Sequence, residues 1–225
     1  MDGKKAAGRK AIDEIEEGMT VGLGTGSTVF YFLEALAEKV ADGFSITGVT
    51  TSQKTAELAE KWQIPLQSLN NVKQIDLTID GADEVDPSLN GIKGGGGALL
   101  YEKLVAEASD KRIWIVDSRK KVDRLGAFPL PIEVVPFGWK HVEALMAGKG
   151  YRPQLRQTTG GQPFVTDAQH YILDLHLNSI EDPEALADEL DHVTGIVEHG
   201  LFVNMTDKAL IGYPDGRVEK LVKEK

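Results

Sequence analysis

Cysteine is absent from the 225 residues. That excludes disulfides, thiolate metal sites and a cysteine nucleophile, and it fits a reducing compartment. Long apolar runs are missing too, since no stretch approaches the roughly 18 consecutive apolar residues of a membrane-spanning helix. The opening segment, MDGKKAAGRKAIDEIEEG, alternates charge with alanine and lacks the apolar centre of a secretory signal, so a cytoplasmic location is expected. Positive charge is scarce: 25 Lys and Arg face 35 Asp and Glu, for a net charge of -10. Such a chain repels a phosphate backbone, so neither nucleic acid nor a membrane is an expected partner. It also repels anionic metabolites at long range. Any phosphate site must therefore be local, built from a few cations and backbone amides. Aromatic residues make up only 7 %, yet the hydrophobic share is 41 %, close to the globular average, so a sizeable core can form.

Over residues 1–128 short apolar runs alternate with helical stretches. The pattern predicts helices over 4–16, 27–40, 52–62 and 98–109, and strands over 19–22, 45–49, 75–79 and 112–116. Ser52 is placed to cap the third helix. Strands separated by helices imply an α/β fold, a mainly parallel sheet with helices on both faces. Such sheets bind ligands beyond the carboxyl ends of their strands, which singles out the turns after Gly22, Ile79 and Val116. Three prolines in FPLPIEVVP, residues 128–136, predict a linker or an edge strand. A helix over 139–148, strands over 152–157 and 171–177, a helix over 183–192 and a strand over 196–199 follow. They read as a small antiparallel α+β unit resembling a split βαβ. Segments 209–213 and 218–222 form a hairpin around Pro-Asp-Gly, free to return to the first sheet. The expected division is 1–128 with 200–225 as one domain and 129–199 as a smaller one.

Four segments carry chemistry-bearing residues. Gly22-Leu-Gly-Thr-Gly-Ser-Thr28 follows a strand and opens a helix, whose free amides and positive dipole end favour an anion. It is not a Walker A loop, because no Gly-Lys-Ser/Thr closes it, and Ser27 replaces the third glycine of a dinucleotide fingerprint. The alternative is a plain strand–helix turn. Asp80-Gly-Ala-Asp-Glu-Val-Asp86 sets carboxylates at a strand end; an acidic surface turn is the other reading, and EF-hand spacing fails. Lys93-Gly-Gly-Gly-Gly97 precedes a helix carrying Glu102. Consecutive glycines let amides converge on an anion, with Lys93 adding a full charge. Alone, Glu102 would be a solvated helix glutamate. Asp117-Ser-Arg-Lys120-Lys121 is either a cationic arm for a phosphate or a charged helix start. The five histidines form no metal-ligand pair at helical spacing and read as surface or packing residues.

In order along the whole chain, GTGST (24–28), DGADE (80–84), KGGGGAL with EK (93–103), Lys120, FPLPIEV (128–134) and the late GLF, ALIG and PDG segments resemble type A ribose-5-phosphate isomerase. The resemblance implies a Rossmann-like domain with a smaller ferredoxin-like α+β domain inserted before the last strands. It implies no cofactor and no metal, a phosphosugar substrate, and a homo-oligomer, either a dimer or a tetramer. It implies interconversion of ribose 5-phosphate and ribulose 5-phosphate in the non-oxidative pentose phosphate pathway. Carried onto these positions, Thr25, Gly26, Ser27, Thr28, Asp80, Gly81, Ala82, Asp83, Lys93, Gly94, Gly95, Gly96 and Lys120 would bind substrate. Lys4, with Lys5 beside it, matches a phosphate-contacting lysine. Glu102 would be the base, with Lys93, Asp80 and Asp83 assisting. Rival readings are an amino-sugar phosphate deaminase or phosphogluconolactonase, a sugar-phosphate sensor domain, and a nicotinamide-dependent dehydrogenase. The first pair would lack the Lys93–Glu102 segment, the second needs a DNA-binding module, and the third meets the flawed fingerprint.

Overall fold

The structure, a computed structural model, describes residues 2–223. The first helix, α1 (Gly3–Lys10), starts where the Asp2 carboxylate accepts the Lys4 amide at 3.2 Å. The helix predicted over 4–16 stops early, passing into a 3₁₀ turn over Ala11–Glu14 before Ile15 becomes extended. The chain continues through β1 (Thr20–Leu23), α2 (Ser27–Ala41), β2 (Thr47–Thr50), α3 (Gln53–Lys61), β3 (Ile75–Asp80), β4 (Glu84–Val85), β5 (Gly91–Ile92), α4 (Leu99–Glu107) and β6 (Ser109–Asp117). As expected, Ser52 caps α3, its hydroxyl accepting the Thr55 amide at 3.1 Å. Then come β7 (Leu130–Val134), α5 (Trp139–Gly148), β8 (Pro153–Leu155), β9 (Tyr171–Leu175), α6 (Pro183–Asp191) and β10 (Ile196–His199). The last strands are β11 (Leu201–Phe202), β12 (Lys208–Gly212) and β13 (Val218–Val222).

The main sheet has the order β13-β12-β6-β3-β1-β2 and is parallel except for β13. Side-chain alternation along β6 shows how both faces are covered. Ile113 and Ile115 enter the core with Phe32, Leu33 and Leu36 of α2 and Ala7 of α1. Trp114 and Val116 face the other way, packing with Ala106 of α4, Phe202, Ala209 and Ile211. Each such large apolar side chain contributes about 1.5–3 kcal/mol on burial.

Between β6 and β12 the chain builds a second sheet, antiparallel, in the order β10-β7-β9-β8, with α5 and α6 in its connections. This βαββαβ arrangement is ferredoxin-like. The proline-rich segment is neither linker nor edge: β7 lies inside this sheet, paired with both β10 and β9. Pro131 is tolerated there because the pairing with β10 ends one residue away, at Ile132 and His199, while the Pro131 carbonyl still accepts the Gly200 amide at 2.8 Å. A third sheet, β11-β5-β4, joins strands of two residues each that no periodicity foretells.

The chain leaves β1 for β2 on one side, whereas β3 lies on the other. That reversal opens a crevice at the carboxyl ends of β1 and β3, the place where open α/β sheets bind ligands.

Candidate active site

The crevice holds a cavity of about 170 Å³. Asp80, the last residue of β3, forms its foundation. Its Oδ1 accepts the amides of Thr25 at 2.9 Å and Gly81 at 2.7 Å. Gly24 permits this contact, since a Cβ there would stand 2.0 Å from Asp80 Oδ1. Asp80 Oδ2 pairs with Lys93 Nζ at 3.0 Å. Both oxygens are therefore committed, and Asp80 sits beneath the cavity rather than on its wall.

Lys93 directly follows β5, held by its backbone amide on the Gly200 carbonyl at 2.9 Å. The residue is 2 % exposed, and its ammonium also donates to the Gly81 carbonyl at 2.5 Å and to Glu102 Oε1 at 3.1 Å. Burial alone would lower Lys93, but the carboxylates of Asp80 and Glu102 outweigh it and hold the ammonium above its ordinary value. Beside it lies the Phe202 ring, 5.3 Å from Nζ to the ring centre.

Glu102 sits in the first turn of α4, 5 % exposed, and lines the cavity. Lys93 takes one oxygen. The other, Oε2, is buried with no hydrogen-bond partner. Burial raises the Glu102 carboxyl, Lys93 opposes the rise, and Asp80 adds to it; the result is a value of about 8. An unpartnered carboxylate oxygen in a cavity wall is poised to take a proton from whatever the cavity holds.

The glycine run bends at Gly94, whose φ of 99° suits only glycine, and carries Gly94, Gly95 and Gly96 along the wall. The Gly95 amide is taken by Asp83 Oδ2 at 2.7 Å. The Gly94 and Gly96 amides have no partner among the described residues. Gly81, Ala82 and Asp83 complete that side.

Opposite stands the start of α2, with Thr25, Gly26, Ser27 and Thr28 on the wall. The first turn of a helix leaves its amides free and adds the positive end of its dipole. Lys4 Nζ donates to Ser27 Oγ at 2.9 Å and lines the same cavity, which Lys5 does not. The Thr25 hydroxyl is engaged elsewhere, within hydrogen-bond distance of Thr51, Ser52 and Thr55. Lys120 reaches the cavity from the β6 end and lies 3.8 Å from Asp83 Oδ1.

The structure thus gathers the residues expected from the sequence around one space, with Asp80 just below it. Asp117, at the end of β6, also lines the cavity without having been singled out as a site residue. Burial would raise its carboxyl, but bonds from the Arg119 side chain and amide hold it below the usual range. Its position at a strand end was the available signal.

Among the described residues, Asp191, Glu198 and His199 approach one another closely enough to share a cation. That cluster already holds one: Lys103 Nζ donates to Glu198 Oε1 at 2.5 Å and to the His199 carbonyl at 2.9 Å.

Residues 47–216 match the family described as ribose 5-phosphate isomerase A (phosphoriboisomerase A). Ribose-5-phosphate isomerase A of Enterococcus faecalis is 52 % identical over 217 residues, 96 % of either chain. Ribose 5-phosphate isomerase from Plasmodium falciparum superposes with a TM-score of 0.93 at 42 % identity, over 99 % of this chain and 98 % of that one. A D-ribose-5-phosphate isomerase in complex with phospho-erythronic acid gives a TM-score of 0.94 at 40 % identity, over 97 % of both chains. By sequence over nearly its whole length, and by fold, the chain belongs to the ribose 5-phosphate isomerase A family.

Proposed function

We propose that the protein interconverts ribose 5-phosphate and ribulose 5-phosphate through an ene-diolate, with Glu102 as the base. The observation that carries this reading is the buried, unpartnered Glu102 Oε2 in the cavity wall, its partner oxygen fixed by Lys93. In the open-chain aldose this oxygen takes the proton on C2 and returns it to C1, while the hydroxyl proton on O2 passes to O1. A carboxyl raised to about 8 is a stronger base than an ordinary glutamate, as removal of a carbon-bound proton requires.

Negative charge develops on O1 and O2 as the ene-diolate forms. The amides of Gly94 and Gly96 are the free donors for it, while the Lys93 ammonium, its three protons held by Asp80, Gly81 and Glu102, offsets the charge through space. Asp83, on the cavity wall, takes the sugar hydroxyls and assists ring opening, whereas Asp80, its oxygens committed, acts by holding Lys93. The phosphate fits the start of α2 with Lys4, and Lys120 adds charge on the far wall. Anchoring that remote group supports catalysis at C1 and C2.

The test is turnover of ribose 5-phosphate by purified protein with a chelator present, run in heavy water. Ketose carrying deuterium beside its carbonyl is expected. Turnover that vanishes with the chelator, or product free of deuterium, would instead favour a metal-assisted hydride shift. We further propose a cytoplasmic homodimer acting in the non-oxidative pentose phosphate pathway; a single-chain mass by light scattering would count against the dimer.

A further inference from the structure

The glycine wall of the cavity is held from behind by the smaller sheet. Arg156 follows β8, and its Nη1 donates to two successive carbonyls of the glycine run, Gly94 at 2.8 Å and Gly95 at 3.2 Å. The rest of its guanidinium is locked by Asp174 of β9, which accepts Nε at 2.9 Å and also Nη2. The Arg156 backbone is fixed as well: its amide donates to the Ile172 carbonyl at 2.8 Å, and its carbonyl accepts the Phe164 amide at 2.9 Å. Neither Arg156 nor Asp174 lines the cavity.

In a planar trans peptide unit the carbonyl and the next residue's amide point in opposite directions. Gripping the Gly94 carbonyl therefore aims the Gly95 amide away from Arg156, and that amide meets Asp83 Oδ2 at 2.7 Å. Gripping the Gly95 carbonyl likewise aims the Gly96 amide away from Arg156, on the wall that Gly96 contributes to the cavity, where it has no partner among the described residues. Glycine offers no side chain to fix either plane, so an external clamp is the means of setting them. A guanidinium bound bidentately to a carboxylate is a rigid clamp, which a flexible ammonium is not.

We propose that Arg156, anchored by Asp174, is a positioning residue that orients the Gly95 and Gly96 peptide planes, presenting the Gly96 amide to the ene-diolate and the Gly95 amide to Asp83. The inference deepens the isomerase reading and rests on it. Arg156 touches no substrate. It acts through donors that matter only when charge builds on the sugar oxygens, so its loss should appear in kcat rather than in KM.

The experiment compares wild type with Arg156→Met and Arg156→Lys, each checked for a native circular dichroism spectrum and a cooperative melt. Readouts are kcat, KM for ribose 5-phosphate, and affinity for phospho-erythronic acid, whose carboxylate stands in for the charged ene-diolate oxygens. Wild-type turnover tests the isomerase reading by itself. Given that turnover, kcat should fall roughly 10–100-fold in both variants, as for loss of a residue that orients a reacting group. KM should move less than about 3-fold, with phospho-erythronic acid affinity falling alongside kcat. If Arg156→Met does not fold, Arg156→Lys decides, because one ammonium cannot hold Asp174 bidentately and both carbonyls at once. Folded variants that keep wild-type kcat, or that raise KM while phospho-erythronic acid binding stays unchanged, overturn the inference.

Discussion

Replacing Glu102 by glutamine separates what this residue does for chemistry from what it does to stability. Glutamine keeps the shape and cannot accept a proton, so kcat should fall by roughly 10²–10⁴-fold, the usual contribution of a positioned base. KM should change little, because the phosphate anchor lies on α2 and α1, away from the substitution. Stability should respond differently. The folded-state carboxyl is raised to about 8 from an ordinary 4.5, so between those values the folded protein holds a proton that the unfolded chain has lost. Glu102's contribution is therefore fully present below about pH 4.5 and is lost as pH rises through about 8, at up to about 1.4 kcal/mol per pH unit. Across that window the loss is on the order of a few kcal/mol. Glutamine removes this dependence and adds a pH-independent penalty of about 1–3 kcal/mol for a buried amide group lacking a partner. The Tm of Glu102→Gln minus that of wild type should therefore climb by several degrees from pH 5 to pH 8, at about 2–4 °C per kcal/mol for a chain of this size. Differential scanning calorimetry over that range measures it. A difference that stays flat or falls with pH would refute the raised carboxyl, and near-normal kcat would move the base elsewhere.

Two further substitutions probe neighbouring groups. Lys93→Met leaves the Asp80 carboxylate buried without its cation and the Glu102 carboxyl without its donor, and chemical denaturation should register a loss of about 3–5 kcal/mol. Lys4→Ala removes a cation from the anion side of the cavity; KM for ribose 5-phosphate should rise roughly 10-fold or more, with kcat changed far less and KM less sensitive to added salt.

The sequence announced the parts whose signals are local. Apolar runs separated by amphipathic stretches gave the parallel sheet, and the strand-end motifs at Gly24 and Asp80 do converge, because strands of a parallel sheet end on one edge; Lys93 joins them through the antiparallel β4–β5 pair. Prolines misled at β7, since their count says nothing about whether a neighbouring strand needs the missing amide. The sheet of β4, β5 and β11 escaped notice, because two residues cannot display alternation. Arg156 gave no local sign: its partners Gly94 and Gly95 lie 62 and 61 positions away, and the link exists only once the two sheets are docked. Nor could the sequence show that Thr25 turns its hydroxyl toward Thr51, Ser52 and Thr55 while the rest of its loop faces the cavity.

The insertion of the smaller sheet between β6 and β12 bears on how the chain matures during synthesis. About ninety residues separate the end of β6 at Asp117 from its neighbour's start at Lys208. At ~5–20 residues per second a ribosome needs roughly 5–20 s to cross that gap. Meanwhile one flank of β6, rich in Ile, Trp and Val, offers unsatisfied backbone groups to any passing strand. Nascent chains stalled in this interval are the ones that should depend most on chaperones, and release of the β12–β13 hairpin is the step that closes the exposure.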